Sequence, residues 1–135
     1  MFRVAALRDV ALAGDILHPA FFAYYEDVEL SARLRARGWR VELVPHALAQ
    51  HSGSASASQL GRCREHLRTR NRYFVARLHP GAGRISALLA EDAKRAVRFA
   101  LSGRFGDAVT IAKGVVRGLT ARLQGPRGQG PGPRS

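Results

Sequence analysis

Residues 21–51, FFAYYEDVELSARLRARGWRVELVPHALAQH, decide which fold the chain is expected to adopt. An aromatic loop leads into the adjacent carboxylates Glu26 and Asp27, and an amphipathic stretch then continues to Gly38, which predicts a short helix. Apolar and polar residues alternate over residues 39–44, which predicts a half-buried β-strand. Such a strand argues against the alternative of a small, purely helical interaction domain.

Some aromatic and apolar side chains of residues 21–51 are expected to lie in the core and others at the rim of a pocket. In the predicted strand, Trp39, Val41 and Leu43 alternate and should face inward. Phe21 and Phe22 fit a core as well as they fit a site. The hydroxyl groups of Tyr24 and Tyr25 favour the rim of a pocket.

Three carboxylates, Glu26, Asp27 and Glu29, follow the aromatic loop. Burying charges without partners costs several kcal/mol, so this cluster indicates a site rather than a core. Acidic residues at a helix N-terminus are also stabilised by the helix dipole, by about 0.3–1 kcal/mol each, which explains one carboxylate better than three. Arg33 lies four residues after Glu29 and is expected to pair with it.

Helical periodicity predicts three further helices, over residues 59–78, 85–101 and 107–123. Asn71 interrupts the apolar stripe of the first, so its amide is either satisfied internally or directed into a site. Gly114 and Gly118 are four residues apart, a spacing that is weak evidence for close helix packing. The small-residue loop 52–58 fits a solvated linker or a segment that closes over a ligand. The Gly- and Pro-rich residues 125–135 are expected to be disordered.

Composition limits the class of protein. The chain has 135 residues, 46% hydrophobic and 24% charged, which fits one modest folded domain. Its single cysteine, Cys63, cannot form an internal disulfide, and we expect a reducing compartment, the cytoplasm. No signal-peptide pattern opens the sequence, and no apolar run approaches the roughly 18 residues of a membrane span.

Charge is distributed unevenly along the chain. The net charge is +12, and residues 61–135 hold sixteen Lys or Arg against four acidic residues, whereas residues 1–60 balance six against six. Such an excess indicates an anionic partner, either an anionic membrane surface, a phosphate-bearing ligand or nucleic acid. A basic solvated surface without a partner is the alternative.

The order of motifs is similar to that of a known enzyme family. The run from Phe21 to Leu30, then Arg33, Gly38-Trp39, Val44-Pro45 and His51, resembles the C-terminal half of the catalytic domain of family-2 glycosyltransferases, especially the rhamnosyltransferase-like group. Arg70-Asn71-Arg72 resembles the Arg-Asn element that follows the histidine in that family. The similarity covers about residues 1–80.

This resemblance implies a partial GT-A, Rossmann-like α/β half-domain over residues 1–58, a basic amphipathic helical region over 59–124 and the tail 125–135. It implies inverting transfer of a sugar from a nucleotide-sugar donor to an acceptor hydroxyl, on a glycan or a lipid-linked acceptor. Asp27 matches the general base, and His51 matches a ligand of a divalent metal, Mn²⁺ or Mg²⁺. The expected acceptor contacts are Glu26, Glu29, Tyr24, Tyr25, Arg33 and Asn71.

The sequence also departs from that family. It contains no Asp-x-Asp, the motif with which the donor-binding half ends in those enzymes. We therefore expect a fragment that is inactive alone, or one piece of an enzyme completed by a second chain, located in the cytoplasm or peripherally at the inner face of the membrane. The alternative is a non-enzymatic basic module that binds anionic membrane or nucleic acid, although it leaves the aromatic-acidic segment unexplained and nucleic acid is the less expected partner.

Overall fold

A computed structural model describes residues 2–48 and 61–123, and these residues form an essentially helical structure. The helices in these ranges are α1 (Val4–Asp9), α2 (Glu26–Ala36), α3 (Gly61–Leu78), α4 (Ile85–Leu101) and α5 (Phe105–Thr120), with a 3₁₀ turn at Pro80–Ala82 after α3. The helices predicted after Gly38 agree with α3, α4 and α5 within the described ranges, although α5 begins and ends earlier than predicted.

Helices α3, α4 and α5 pack as a bundle whose directions follow from side-chain contacts. Arg62 at the start of α3 contacts Asp107 at the start of α5, and Gly118 near the end of α5 lies against Tyr73 further along α3, so these two helices run parallel. Arg95 of α4 pairs with Glu65, and Asp92 pairs with Arg72 further along α3, so α4 runs antiparallel to α3. The start of α3, the end of α4 and the start of α5 therefore lie at one end of the bundle.

Glycine lets α3 and α5 approach closely. A Cβ added to Gly114 would lie 2.8 Å from the Cβ of Thr69, and one added to Gly118 would lie 2.7 Å from the Cβ of Tyr73. These distances are shorter than side chains tolerate, so the spacing of the two glycines does mark a close helix contact.

Two small hydrophobic clusters hold the remaining segments. The first joins α1 to α2 through the buried residues Ala6, Val10, Leu30 and Leu34. The second joins the aromatic loop to α3 and the end of α5, where Phe21 packs edge-on against Phe74 with ring centroids 5.8 Å apart.

The predicted α/β fold is wrong, because residues 2–48 and 61–123 contain no β-sheet and therefore no Rossmann-like half-domain. Residues 39–44 lie outside any strand. A strand needs a neighbour to satisfy its N–H and C=O groups, and no described segment pairs with this one. Trp39 and Val41 instead pack on the first cluster, Trp39 Nε1 donates to Asp9 Oδ2 at 2.8 Å, and Leu43 is 89% exposed.

Helix α1 ends at Asp9, and Gly14 lies in a separate turn. That turn contains the isolated bridge between Leu12 and Asp15. The two phenylalanines separate: Phe21 is buried, whereas Phe22 is 83% exposed. Over the parts of the chain that the structure describes, no helix combines the length and the apolar character needed to cross a bilayer.

Candidate functional site

The loop before α2 has an unusual backbone. Tyr24 and Tyr25 both adopt positive φ angles, 68° and 69°, and Tyr25 is the residue that caps α2. The left-handed region costs a residue with a Cβ about 1–2 kcal/mol. Two such residues in succession persist only where neighbouring groups hold them, and strain of this kind is concentrated at functional sites.

Helix α3 supplies the groups that hold this loop. Asn71 is fully buried, and its Nδ2 donates to the carbonyl oxygens of Ala23 at 2.8 Å and Tyr24 at 2.7 Å. Arg70 Nε donates to Asn71 Oδ1 at 2.8 Å, and Arg70 Nη2 donates to the carbonyl of Ala20 at 3.1 Å. The amide thus fixes the conformation that leads into the acidic residues.

Glu29 is the buried carboxylate of the acidic cluster. Arg33 Nε donates to Oε2 at 3.0 Å and lies 2.9 Å from Oε1, and His79 Nε2 lies 3.2 Å from Oε1. Burial opposes ionisation, but the hydrogen bonds from His79 and Arg33 outweigh it, so the pKa of Glu29 lies below its ordinary value. The predicted i+4 pair is confirmed, and it is buried.

Arg33 also ties α2 to the segment before the loop. Its guanidinium donates to the carbonyl of Val10 and, at 2.7 Å, to the carbonyl of Ile16. Because Arg33 is 5% exposed and bonded to three partners, its contacts fix the orientation of α2.

Asp27 is placed differently from Glu29. It is exposed, and its Oδ1 accepts the backbone N–H of Val28 at 2.8 Å. Its side chain lines an open cleft of about 870 Å³ between α2 and the end of α3. The polar residues that share this cleft are Ser31, Arg35 and His79. Its apolar wall consists of Val28, Ala32, Ala36, Val41, Leu78, Pro80 and Ala82.

Glu26 supplies a further acceptor atom beside the loop. Its Oε2 is buried and has no hydrogen-bond partner within the described ranges. An unmatched buried acceptor costs free energy, so a hydroxyl donor at this atom would stabilise the fold.

A second polar network joins α3 to α4. Asp92 is 2% exposed, accepts the Tyr73 hydroxyl at 3.0 Å and Arg95 Nη1 at 2.9 Å, and pairs with Arg72. Burial and the bond to Asp92 raise the pKa of Tyr73 well above its ordinary value. These contacts fix α4 on α3 and lie outside the Asp27 cleft.

The structure brings the predicted site residues into two settings. Asp27 faces the cleft, whereas Glu29, Arg33 and Asn71 are buried within hydrogen-bond networks. Tyr24 and Tyr25 are half-buried in the strained loop, and Tyr25 also lines a smaller polar cavity with Glu65, Arg68 and Arg95. The acceptor contacts assigned to these residues stay predictions.

His51 lies outside the described residues, so its convergence with Asp27 and its role toward Mn²⁺ or Mg²⁺ stay predictions. In residues 2–48 and 61–123, no group of three His, Cys, Asp or Glu side chains is arranged to hold a metal ion. The small-residue loop 52–58 and the tail 125–135 also lie outside these ranges.

His79 lines the cleft and contacts Glu29, but the sequence did not predict it as a site residue. The sequence marks it as the stop of α3, because His79-Pro80-Gly81 follows the last apolar position. Its contact with Glu29 joins positions 50 apart in the chain, and no local periodicity reports such a pairing.

Comparison with protein-family models, with curated proteins and with solved structures finds no match for this chain.

Proposed function

We propose that this chain forms the acceptor side of a glycosyl-transfer site in which Asp27 takes the proton of the attacking hydroxyl. The observation that carries the proposal is the contrast between two carboxylates of α2. Glu29 is paired with Arg33 and hydrogen-bonded to His79 in the interior, whereas Asp27 lines an open cleft. A general base has to be within hydrogen-bond reach of the proton that it removes.

The cleft also suits a sugar. Its aliphatic wall can cover the C–H face of a pyranose ring, while the Ser31 hydroxyl, the Arg35 guanidinium and the His79 imidazole offer partners for ring hydroxyls. This mixture of an apolar wall with few polar groups is typical of small-molecule sites.

In the proposed reaction, the acceptor hydroxyl donates its hydrogen bond to Asp27. As the acceptor oxygen bonds to the anomeric carbon of the donor, the bond from that carbon to the departing nucleoside diphosphate breaks and the proton moves to the carboxylate. One displacement inverts the anomeric centre, as the resemblance implies. Positioned proton transfer contributes a factor of about 10²–10⁴ to the rate.

In this proposal, the buried residues hold Asp27 in its place. Asn71 holds the loop that precedes Asp27, and the pair of Glu29 with Arg33 fixes the helix that carries it. A divalent metal at His51 and a nucleotide-sugar donor remain part of the proposal, and the metal would neutralise the departing diphosphate.

An acceptor titration tests the proposal. ¹⁵N-labelled chain is titrated with neutral oligosaccharides, and we expect chemical-shift changes concentrated at residues 27–36 and 78–82, with weaker binding in the cleft-filling variant Ser31→Trp. Phe22→Ser, a change at an exposed ring outside the cleft lining, is the control and should leave affinity unchanged. Shifts confined to other surfaces, or equal affinity in Ser31→Trp, would show that the cleft is not an acceptor site.

A further inference from the structure

One end of the α3–α4–α5 bundle combines exposed arginines with exposed apolar side chains. We call this surface the basic end; it consists of Arg62, Arg64, Arg98, Leu101, Arg104 and Phe105. Because α3 begins, α4 ends and α5 begins here, residues far apart in sequence are neighbours. The positive dipole ends of α3 and α5 also lie here, and the negative C-terminal end of α4 offsets one of them, so the excess of positive charge comes chiefly from the arginines.

The acidic residues near this end are already paired. Asp107 accepts Arg104 Nε at 2.7 Å and Arg62 Nε at 3.3 Å, and these bonds hold its pKa below the ordinary value. Glu65 pairs with Arg95. Positive charge therefore exceeds negative charge at the basic end, where Arg64 and Arg98 are exposed as well.

The apolar side chains here have no cover within the described structure. Leu101 is 85% exposed and Phe105 is 66% exposed, on either side of the turn that joins α4 to α5. One turn further from the tip, Val97 and Val109 are 58% and 50% exposed. Isolated exposed apolar residues are ordinary, but a group at one tip ringed by arginines marks a contact surface.

We infer that the basic end binds the surface of an anionic lipid bilayer, with Leu101 and Phe105 entering the headgroup region and the arginines contacting lipid phosphates. A bilayer fits both features, since it offers negative charge and an apolar interior beneath it. Nucleic acid fits only the charge, because a leucine and a phenylalanine gain little from phosphate.

This surface is separate from the proposed sugar site. The Asp27 cleft is lined by the end of α3, and the basic end includes its start. A helix of 18 residues spans about 27 Å at 1.5 Å per residue. Membrane binding and sugar transfer can therefore be tested independently.

Vesicle flotation with the purified chain tests the inference. We expect binding to phosphatidylcholine vesicles that contain phosphatidylglycerol, weak binding to phosphatidylcholine alone, and weaker binding as salt screens the arginines. Leu101→Ser and Phe105→Ser should each weaken binding about tenfold. Arg98→Gln should weaken it about fivefold. All three positions are exposed, so the fold should tolerate the changes.

Phe22→Ser is the matched control, because it removes an even more exposed ring outside the basic end. It should bind vesicles as the unchanged chain does. Duplex DNA and RNA are titrated in parallel as the competing partner class. Equal binding to neutral and anionic vesicles, vesicle binding that Leu101→Ser and Phe105→Ser leave unchanged, or tighter binding to nucleic acid would each overturn the inference.

Discussion

Replacing Asn71 tests whether this amide holds the strained loop before Asp27. In Asn71→Ala, the half-buried carbonyls of Ala23 and Tyr24 lose their donor. Each carbonyl left without a donor costs about 1–3 kcal/mol, or about 2–6 kcal/mol for the two. Relaxation of the two left-handed residues returns about 1–2 kcal/mol each. We therefore expect a net loss of about 1 kcal/mol in the free energy of unfolding.

Asn71→Asp keeps the size of the side chain but removes its N–H donor, so it tests the donor by itself. This variant keeps the shape but points a carboxylate at two carbonyl oxygens, so it should be the less stable of the two at neutral pH. Protonation restores one O–H donor and removes the repulsion, so its free energy of unfolding, relative to that of the unchanged chain, should recover as the pH falls.

Urea unfolding followed by the fluorescence of Trp39, the chain's single tryptophan, measures these stabilities. Backbone ³J couplings of Tyr24 and Tyr25 report the φ angles directly. The reasoning is refuted if Asn71→Ala changes the free energy of unfolding by less than about 0.5 kcal/mol and both tyrosines keep their left-handed couplings.

Three further predictions concern packing and ionisation. Gly118→Ala places a Cβ 2.7 Å from that of Tyr73 and should lower the free energy of unfolding by about 1–3 kcal/mol, whereas Gly81→Ala, with no atom within 4 Å, should change it little. Phe21→Ala should cost about 3–5 kcal/mol and Phe22→Ala less than about 0.5, measured by the same urea unfolding. Because the folded-state pKa of Glu29 is lowered, ionised Glu29 stabilises the fold above the ordinary carboxyl pKa, and this stabilisation is lost as the pH falls through the folded-state pKa. Glu29→Gln should therefore remove that part of the decrease in the free energy of unfolding at acidic pH, measured by urea unfolding.

Local patterns predicted the helices because a helix satisfies its own backbone and shows its periodicity within a single segment. The bounds of α4 agree with the prediction, and the turn after α3 begins where His79-Pro80-Gly81 places it. The pair of Glu29 with Arg33 was predictable for the same reason, since four residues separate them on one helix.

The strand predicted over residues 39–44 is wrong, because alternation of apolar and polar residues reports only which side chains face inward. Trp39 and Val41 do pack inward, but strand formation depends on a neighbouring strand, which no pattern within residues 39–44 specifies. The donor contacts of Asn71 and the link from His79 to Glu29 are similarly non-local, and they join residues 47–50 positions apart. Buried Asp92 also gave no sequence signal, since its partners Arg72 and Tyr73 lie on another helix.

The rate of sugar transfer by Asp27→Asn tests the central claim most directly. The measurement uses nucleotide sugars and oligosaccharide acceptors with Mn²⁺, with the chain alone and together with a chain that supplies a donor-binding site. The account predicts that Asp27→Asn lowers kcat about 10²–10⁴-fold while the melting temperature is unchanged, since Asp27 is exposed and its side chain bonds only to the adjacent N–H of Val28 within the described residues. Asp15→Asn, a change at an exposed carboxylate outside the cleft lining, serves as the control and should keep most of the rate. Transfer by Asp27→Asn at the rate of the unchanged chain would contradict the account.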